Sequence, residues 1–491
     1  MITLTRRGLI GGALTAPWAM RDAAFAATGD VFHVDSVSGS DAADGRSPAT
    51  AWKTTEKVSA GRYRAGSSIL FRRGRSFPLS STLRLQSATG GHRHLETGEA
   101  PVTLGAYGGS PGEPLPRISS WKVLDPAGWT SAGPDLWRID VNAALLPEGS
   151  HTPGRDGANI GRLSVDGAIK TVKKRSAVAL KSDWEFFSDQ EQFLYVFSHD
   201  NPKDRAATIK ASPNVRMLAL DSGITARDLW FEGTGGNAAD LYWDTDIQWC
   251  VFHTIGGSFL SDGRRYGNGV QQFGSGYDIT ARNNLFWECY DTALTCQGYP
   301  MDKPNSGWEN IDYSDNWIAR CQSAMEIWAT YGKGKALGTC PPGSGFRNVR
   351  ARRLRLFDLG RGASRLGRLD YQIWAAFIEP APIETPYRPV PISVAEMKNC
   401  SDRLLFGPSS QDRTRPALDF VLEPSDLSLP EKSLIANGSG YRVEQWDAYV
   451  RQTGIGVGST MRIEPEATTG FGETVLTPFE TLHARWAASR G

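Results

Sequence analysis

The hydrophobic and polar positions of this chain fall into a pattern that returns several times between Ile224 and Asp358. Laid under one another, the passes read ITARDLWFEGTGGNAADLYW from Ile224, TDIQWCVFHTIGGSFLSDG from Thr245, YDITARNNLFWECYDTALTCQG from Tyr277, ENIDYSDNWIARCQSAMEIWA from Glu309 and FRNVRARRLRLFDLGRG from Phe346. Ile279 and Ala281, Ile311 and Tyr313, and Val349 and Ala351 each put two apolar side chains on one face of a period-two segment. Ile279 to Ile311 and Cys289 to Cys321 are both steps of 32, so Asn284 falls on Asn316. Each segment is too short to close a sheet alone. Repetition at a few tens of residues, with Gly, Asn and Asp at the joints, predicts a solenoid whose coils bury their inner faces only by stacking.

Three local expectations follow from that register. Asn284 over Asn316 predicts an amide ladder from coil to coil. Cys289 over Cys321 predicts stacked core thiols, or a disulfide where the geometry allows. The unequal steps, 23 from Ile224 to Ile247, 32 from Ile279 to Ile311 and 38 from Ile311 to Val349, place the extra residues in loops, which usually build the binding face.

Before the repeat, Val31-Phe32-His33-Val34-Asp35 is followed by GSDAADGRSPATAWKTTEKV from Gly39, GSSILFRRG from Gly66, PVTLGAYGG from Pro101 and PRISSW from Pro116. This order of strand, short capping helix and first coils resembles the opening of secreted right-handed parallel β-helix proteins of the pectate-lyase-like superfamily. After the repeat, YRVEQWDAYVRQTG from Tyr441 reads as a short amphipathic helix packing on the last coil, similar to the closing Trp-containing helix of that group. The resemblance implies an all-β chain, a right-handed parallel β-helix solenoid with an N-terminal capping helix and loop insertions, and a carbohydrate-active protein. It is specific for fold and poor for chemistry. From the residues themselves, Ser47-Pro48-Ala49-Thr50 opens a helix running through Lys57 that plugs the open end of the core. From Trp121 to about Val215 the pattern loosens into strands such as Leu194-Tyr195-Val196-Phe197, an inserted β region or elaborated early coils. The proline-rich run EPAPIETPYRPVPI from Glu379 to Ile392 reads as a wrapping or linking segment.

Composition adds limits. A solenoid grows along its axis, so 491 residues fit one domain from 27 to 491, with core coils at about 210–360, the inserted region at about 121–215 and a C-terminal wrapping segment at about 379–491. A formal net charge of +1 gives no global field for nucleic acid or a membrane. Thr5-Arg6-Arg7-Gly8-Leu9-Ile10, a weakly apolar run to Met20 and Ala24-Phe25-Ala26 read as a twin-arginine export signal over residues 1–26. The mature protein is then periplasmic or secreted, without a membrane anchor. Six cysteines with no CxxC do not make a disulfide scaffold in so long a chain.

No strong catalytic signature is present: no GxSxG, HExxH, P-loop or GxGxxG. The aspartates and arginine of pectate lyases and the NTD, DD and HG set of polygalacturonases are not recognisable either, and Asp244-Thr245-Asp246 echoes only the first of these. What remains is an acid at the end of each pass: Asp240, Asp262, Glu288 with Asp291, Glu326 and Asp358. Coils lie about 4.8 Å apart, so acids one or two coils apart sit roughly 5 to 10 Å from each other, the range of paired glycosidase carboxylates. Such a pair splits its pKa values into one acid and one base or nucleophile. Asp291, Glu326, Asp262 and Asp240 are the candidate catalytic residues. Trp243, Tyr290, Gln297, Trp328, Arg264 and Arg320 are the candidate substrate-binding residues. The bland reading sits beside each: acids favour turns for local hydrogen bonds, and aromatic ladders are ordinary solenoid core.

A second chemistry competes. Arg347, Arg350, Arg352, Arg353 and Arg355 make a locally basic run, a carboxylate or sulfate cradle if they stand free, and Lys333, Lys335 or Tyr331 offers a base for β-elimination. Solvated ion pairing with coil acids explains the same arginines. The order of readings is a glycoside hydrolase first, a polysaccharide lyase second and a non-catalytic carbohydrate-binding β-helix third. The partner is a polysaccharide or oligosaccharide, with no nucleic acid and oligomeric state left open. No cofactor is expected, with Ca²⁺ admitted only on the lyase reading.

Overall fold

The computed structural model describes residues 29–88, 99–109, 112–141, 159–169, 171–260, 263, 265–298, 307–329, 345–361, 378–380, 390–400, 403–405, 420–436, 440–465 and 476–490. The leader read over residues 1–26 lies outside them, as do Asp262 and Arg264 and the backbone of Tyr331, Lys333, Lys335 and Cys340. Through the described residues the chain winds round three parallel sheets and visits them in the same order on each coil. Sheet 1 includes Ile224–Arg227, Trp243–Gln248, Gly276–Arg282 and Gly307–Asp312. Sheet 2 includes Trp230–Thr234, Val251–Ile255, Leu285–Cys289 and Trp317–Ala319. Sheet 3 includes Ala239–Asp240, Val270–Phe273, Thr292–Gly298, Ser323–Ala329 and Ile378–Pro380. The long strand Gly345–Phe357 runs from sheet 1 into sheet 2. This is an all-β parallel β-helix.

The stacking follows the expected register where the repeat is tight. Ile279 pairs with Ile311, and Ile311 with Val349. The first step differs: Ile224 lies on Thr245, and Ile247 lies on Ala226, two residues away from the alignment the apolar residues suggested. That shift of two keeps the same face inward, so hydrophobic pattern alone cannot detect it. Inside, Phe231, Phe252 and Phe286 stack in one column with centroids 5.4 and 4.8 Å apart. At the corner between sheets 1 and 2 the Asn284 side chain donates to the Asn316 side chain at 3.2 Å, while the Asn316 carboxamide oxygen accepts the Asn284 backbone N–H at 2.9 Å. The Asn284 oxygen in turn accepts the N–H of Cys250 at 2.9 Å. The amide ladder therefore satisfies buried backbone donors at a turn, where no strand partner exists. The thiols of Cys289 and Cys321 are both free and buried, and the Cys321 sulfur faces the Cys289 N–H at 3.4 Å.

Three expectations need correction. The helix from Ser47 through Lys57 is two pieces, a turn at Pro48–Thr50 and a helix at Thr55–Ser59. Between them Trp52 bridges Val34 in parallel, and the Asp41 carboxylate takes the N–H groups of Lys53 and Thr54, which holds that stretch extended. The coils also reach beyond 210–360, from Val31 to Ala436. The run from Glu379 to Ile392 is not simply a wrapping segment, because Ile378–Pro380 joins sheet 3 and Val390–Lys398 joins sheet 2, with 381–389 outside the described residues.

Residues of the inserted stretch form two small sheets around a core of their own, including Trp129, Ile139, Leu163, Phe186, Leu194 and Ile209. This lobe seats on the loop after Ile255. Asn159 exchanges hydrogen bonds with the Phe259 backbone at 2.7 and 2.8 Å, and Gly161 approaches Gly235 so closely that a Cβ there would lie 2.5 Å from its Cα. At the other end Trp446 and Tyr449 of the helix Trp446–Thr453 enter the main core. A second helix, Phe479–Ala488, which the sequence pattern did not announce, lies over the outer face of sheet 2 and buries Leu482 and Trp486 among Trp230, Trp287 and Trp317.

Candidate functional site

Register decides which side chains share a surface. On sheet 3, Ala239, Val270, Leu294 and Met325 stack in one core column, and Cys296 and Ile327 in another. The positions between them face outward. They run Asp240, Gln271, Thr295 and Glu326, one per rung, with Glu379 at the next register position of the backbone, and beside them Phe273, Gln297 and the register position of Trp328. Four of the candidates therefore lie on one face: Asp240, Glu326, Gln297 and, by backbone position, Trp328.

Their spacing differs from the expectation of one or two coils. Asp240 and Glu326 stand three rungs apart, roughly 14 Å at the usual rung spacing, too far for one catalytic pair. Asp240 is also buried and held by Arg216 at 2.7 Å. Glu326 is half-buried, and its neighbour on the next rung is Glu379. Adjacent rungs are about 4.8 Å apart, close to the separation of about 5 Å between the two carboxyl groups of retaining glycosidases. Sequence reading missed Glu379 because it opens the proline-rich run. The signal that finds it is the register of Ile378–Pro380 on Met325–Ile327.

The other candidates sit elsewhere. Asp291 is at the corner entering sheet 3, where its N–H donates to the Gly267 carbonyl at 3.2 Å and its own carbonyl accepts from Ser323 at 3.2 Å. It is four residues before Thr295, so roughly 13 Å along the strand from the level of Glu326. Tyr290, expected to stack on sugar, is 3% exposed, with the Arg265 guanidinium 3.9 Å from its ring centroid. Arg320, expected to bind substrate, pairs with Glu288 at 3.5 Å, lies over Trp287 at 4.4 Å and donates to the Thr477 carbonyl at 2.9 Å. Both are packing residues where sheet 2 turns into sheet 3. Trp243 lies on the outer face of sheet 1, its ring 4.7 Å from that of Tyr277. Other described tryptophans are packed as well: Trp308 stacks in the core on Phe346, and Trp230, Trp287 and Trp317 lie under the C-terminal helix.

The arginine run has the bland outcome. Arg347 pairs with Glu309 at 2.7 Å, Arg350 with Asp312 at 2.8 Å and Arg352 with Glu423 at 2.6 Å, while Arg353 bonds Asp315 at 2.7 Å and Arg355 covers Trp317 at 5.0 Å. Burial opposes the charge on Asp312, yet hydrogen bonds from Arg350 and Ser314 hold its pKa below the usual carboxylate value. Among the described residues no group of three or more His, Cys, Asp or Glu is placed to hold a metal ion. No described helix is long and apolar enough to cross a membrane.

No protein-family model matches the sequence, and no curated protein matches it. The fold has a solved counterpart. The complex structure of XylC with xylose matches with a TM-score of 0.53 at 10% identity, over 88% of this chain and 70% of that one. The GH136 lacto-N-biosidase from Eubacterium ramulus aligns with a TM-score of 0.38 at 9% identity, over 83% of this chain and 63% of that one. Pectate lyase Pel9A aligns with a TM-score of 0.28 at 9% identity, over 84% and 78%. At such identity the likeness to XylC is one of fold.

Proposed function

We propose that the chain is an exported glycoside hydrolase acting on a polysaccharide or oligosaccharide, with Glu326 and Glu379 as its carboxylate pair. The observation that carries the reading is their position on consecutive rungs of one outward face. One carboxylic acid protonates the glycosidic oxygen as the bond to the anomeric carbon breaks. The other carboxylate attacks that carbon, and water then releases the sugar with the first group acting as base. XylC, the solved structure of like fold, was obtained with a sugar bound, which agrees with a carbohydrate substrate.

The lyase reading needs cations free to neutralise a uronate, and the described arginines of the fifth pass are taken by carboxylates or by the ring of Trp317. The deciding experiment incubates the purified protein with a panel of neutral and acidic polysaccharides. Reducing ends and the ultraviolet absorbance of an unsaturated product are read together. New reducing ends without absorbance are expected. Absorbance rising in step with chain cleavage establishes the lyase, and binding without cleavage establishes the non-catalytic module.

A further inference from the structure

The helix Phe479–Ala488 is held on the outer face of sheet 2 in two ways. Its rim is fastened by charge: Arg490 pairs with Asp228, Arg485 pairs with Glu396 at 2.7 Å, and ahead of the helix the Thr477 N–H donates to the Asp358 carboxylate at 2.9 Å. Its underside buries Leu482 and Trp486, whose indole N–H donates to the Asn283 carbonyl at 2.8 Å. Within that contact two imidazoles come together. His483 of the helix and His253 of sheet 2, both half-buried, pack against Trp230 and Phe479 with ring centroids 4.9 to 5.7 Å apart. The His253 Nδ1 meets the Thr254 hydroxyl at 2.9 Å, and the buried His483 Nε2 has no hydrogen-bond partner.

The charges around the two rings are mostly of one sign. Arg117 lies over the Trp230 ring at 4.6 Å and Arg320 over Trp287 at 4.4 Å, while Arg162 reaches in from the inserted lobe and Arg490 from beyond the helix. The acids are Glu232 one rung before His253, Glu288 held by Arg320 at 3.5 Å, and Glu480 three residues before His483. Neither imidazole has a carboxylate partner among the described residues. A proton added to either ring therefore enters a positive, poorly hydrated place. Burial, then these cationic neighbours, push His253 down to about 3 and hold His483 below its ordinary value.

We propose that the helix Phe479–Ala488 is an acid-released strap, which covers sheet 2 at neutral pH and lifts as the medium turns acid, baring Trp230, Trp287 and Trp317. The inference stands apart from the choice of catalytic acids. A free imidazole takes its proton near pH 6.5. The lifted state therefore binds protons that the covered state refuses, and His253 alone moves the balance toward lifting roughly 25-fold between pH 7 and pH 5. His483, lowered in the same direction, adds to it. Burial raises the Asp358 carboxyl, and Asp358 stays in every variant below as a common background.

Hydrogen exchange of the full chain, read by mass spectrometry at pH 7 and pH 5 and corrected for intrinsic exchange, tests the strap. Peptides from Phe479–Ala488 should lose protection roughly 25-fold or more on acidification, while those from Trp230–Thr234 and Leu285–Cys289 keep theirs. In the double variant His253→Gln, His483→Gln the loss should shrink below about threefold. Arg117→Gln, at an exposed residue, takes one positive charge from both rings and should shrink the loss about twofold. Full protection of the helix at pH 5 overturns the proposal. So does an undiminished loss in the double variant or in Arg117→Gln, or a loss that the two strands share.

Discussion

The outer faces of sheets 1 and 3 are built from the same coils and have opposite characters. On sheet 1 the outward columns neutralise themselves from rung to rung: Glu309 with Arg347, Asp312 with Arg350 and, at the next corner, Asp315 with Arg353. Asp278, Asn310 and Asn348, all with positive φ, link their side chains at 2.8 and 2.9 Å in a second external ladder. On sheet 3 the column runs Asp240, Gln271, Thr295, Glu326 and, by register, Glu379, and the exposed Phe273 stands beside it. A face that completes its own bonding holds the solenoid together. Sheet 3 instead keeps a buried Thr295 hydroxyl without a hydrogen-bond partner and a Gln271 side chain whose described bonds use only its oxygen.

That contrast can be broken in several places. The largest effect belongs to Glu326→Gln, which should lower turnover about 10²- to 10⁴-fold, the usual contribution of a positioned acid or base. Steady-state release of reducing ends checks it, with Arg350→Gln as the sheet 1 control that leaves turnover unchanged. Next comes Asn316→Ala, which strips the Asn284 backbone donor of its acceptor at 2.9 Å and should cost about 2 kcal/mol in a denaturant titration.

A smaller effect appears with pH. His253 is buried under the C-terminal helix, and burial, then the charges of Arg117, Arg162, Arg320 and His483, push its pKa down to about 3. His483 is lowered too, first by burial. Both imidazoles bind protons in the unfolded chain near pH 6.5, before the folded protein does. Stability should therefore fall as pH drops below that value, and the His253 contribution to the slope should end near its folded pKa. The contribution of Asp312, whose pKa is lowered, is lost only below the ordinary carboxylate value, so thermal midpoints of the unmutated protein and of a His253 variant are compared between pH 7.5 and about 4.5. His253→Phe should flatten the slope. The smallest effect is Arg353→Gln on the exposed rim of sheet 1, below about 1 kcal/mol and with no change in activity.

Much of the spiral was readable beforehand because two coils keep the same length. The 32-residue step that puts Asn284 on Asn316 is visible in the letters, and the hydrogen bond between them is its direct product. The step from Ile224 escaped because a slip of two residues leaves the apolar face unchanged. The site was harder. Acids are easy to see in a sequence, but which acids share a rung depends on loop lengths, so Asp240 and Glu326 came out three coils apart. Glu379 was hidden by the prolines that follow it, although Pro380 itself takes a place on the sheet opposite Ile327. Tyr290 and Arg320 looked like binding residues by type, and the packing puts Arg265 over the ring of Tyr290 and Arg320 over that of Trp287. The helix Phe479–Ala488 explains where so many tryptophans went.

The stereochemistry of the first sugar released tests the pairing of Glu326 with Glu379 most directly. Carboxylates on consecutive rungs leave no room for a water between acid and base, so proton NMR in the first minutes of cleavage should show an anomer with the configuration of the substrate. An inverted anomer would contradict the pair, since it requires acids farther apart than one rung of this sheet.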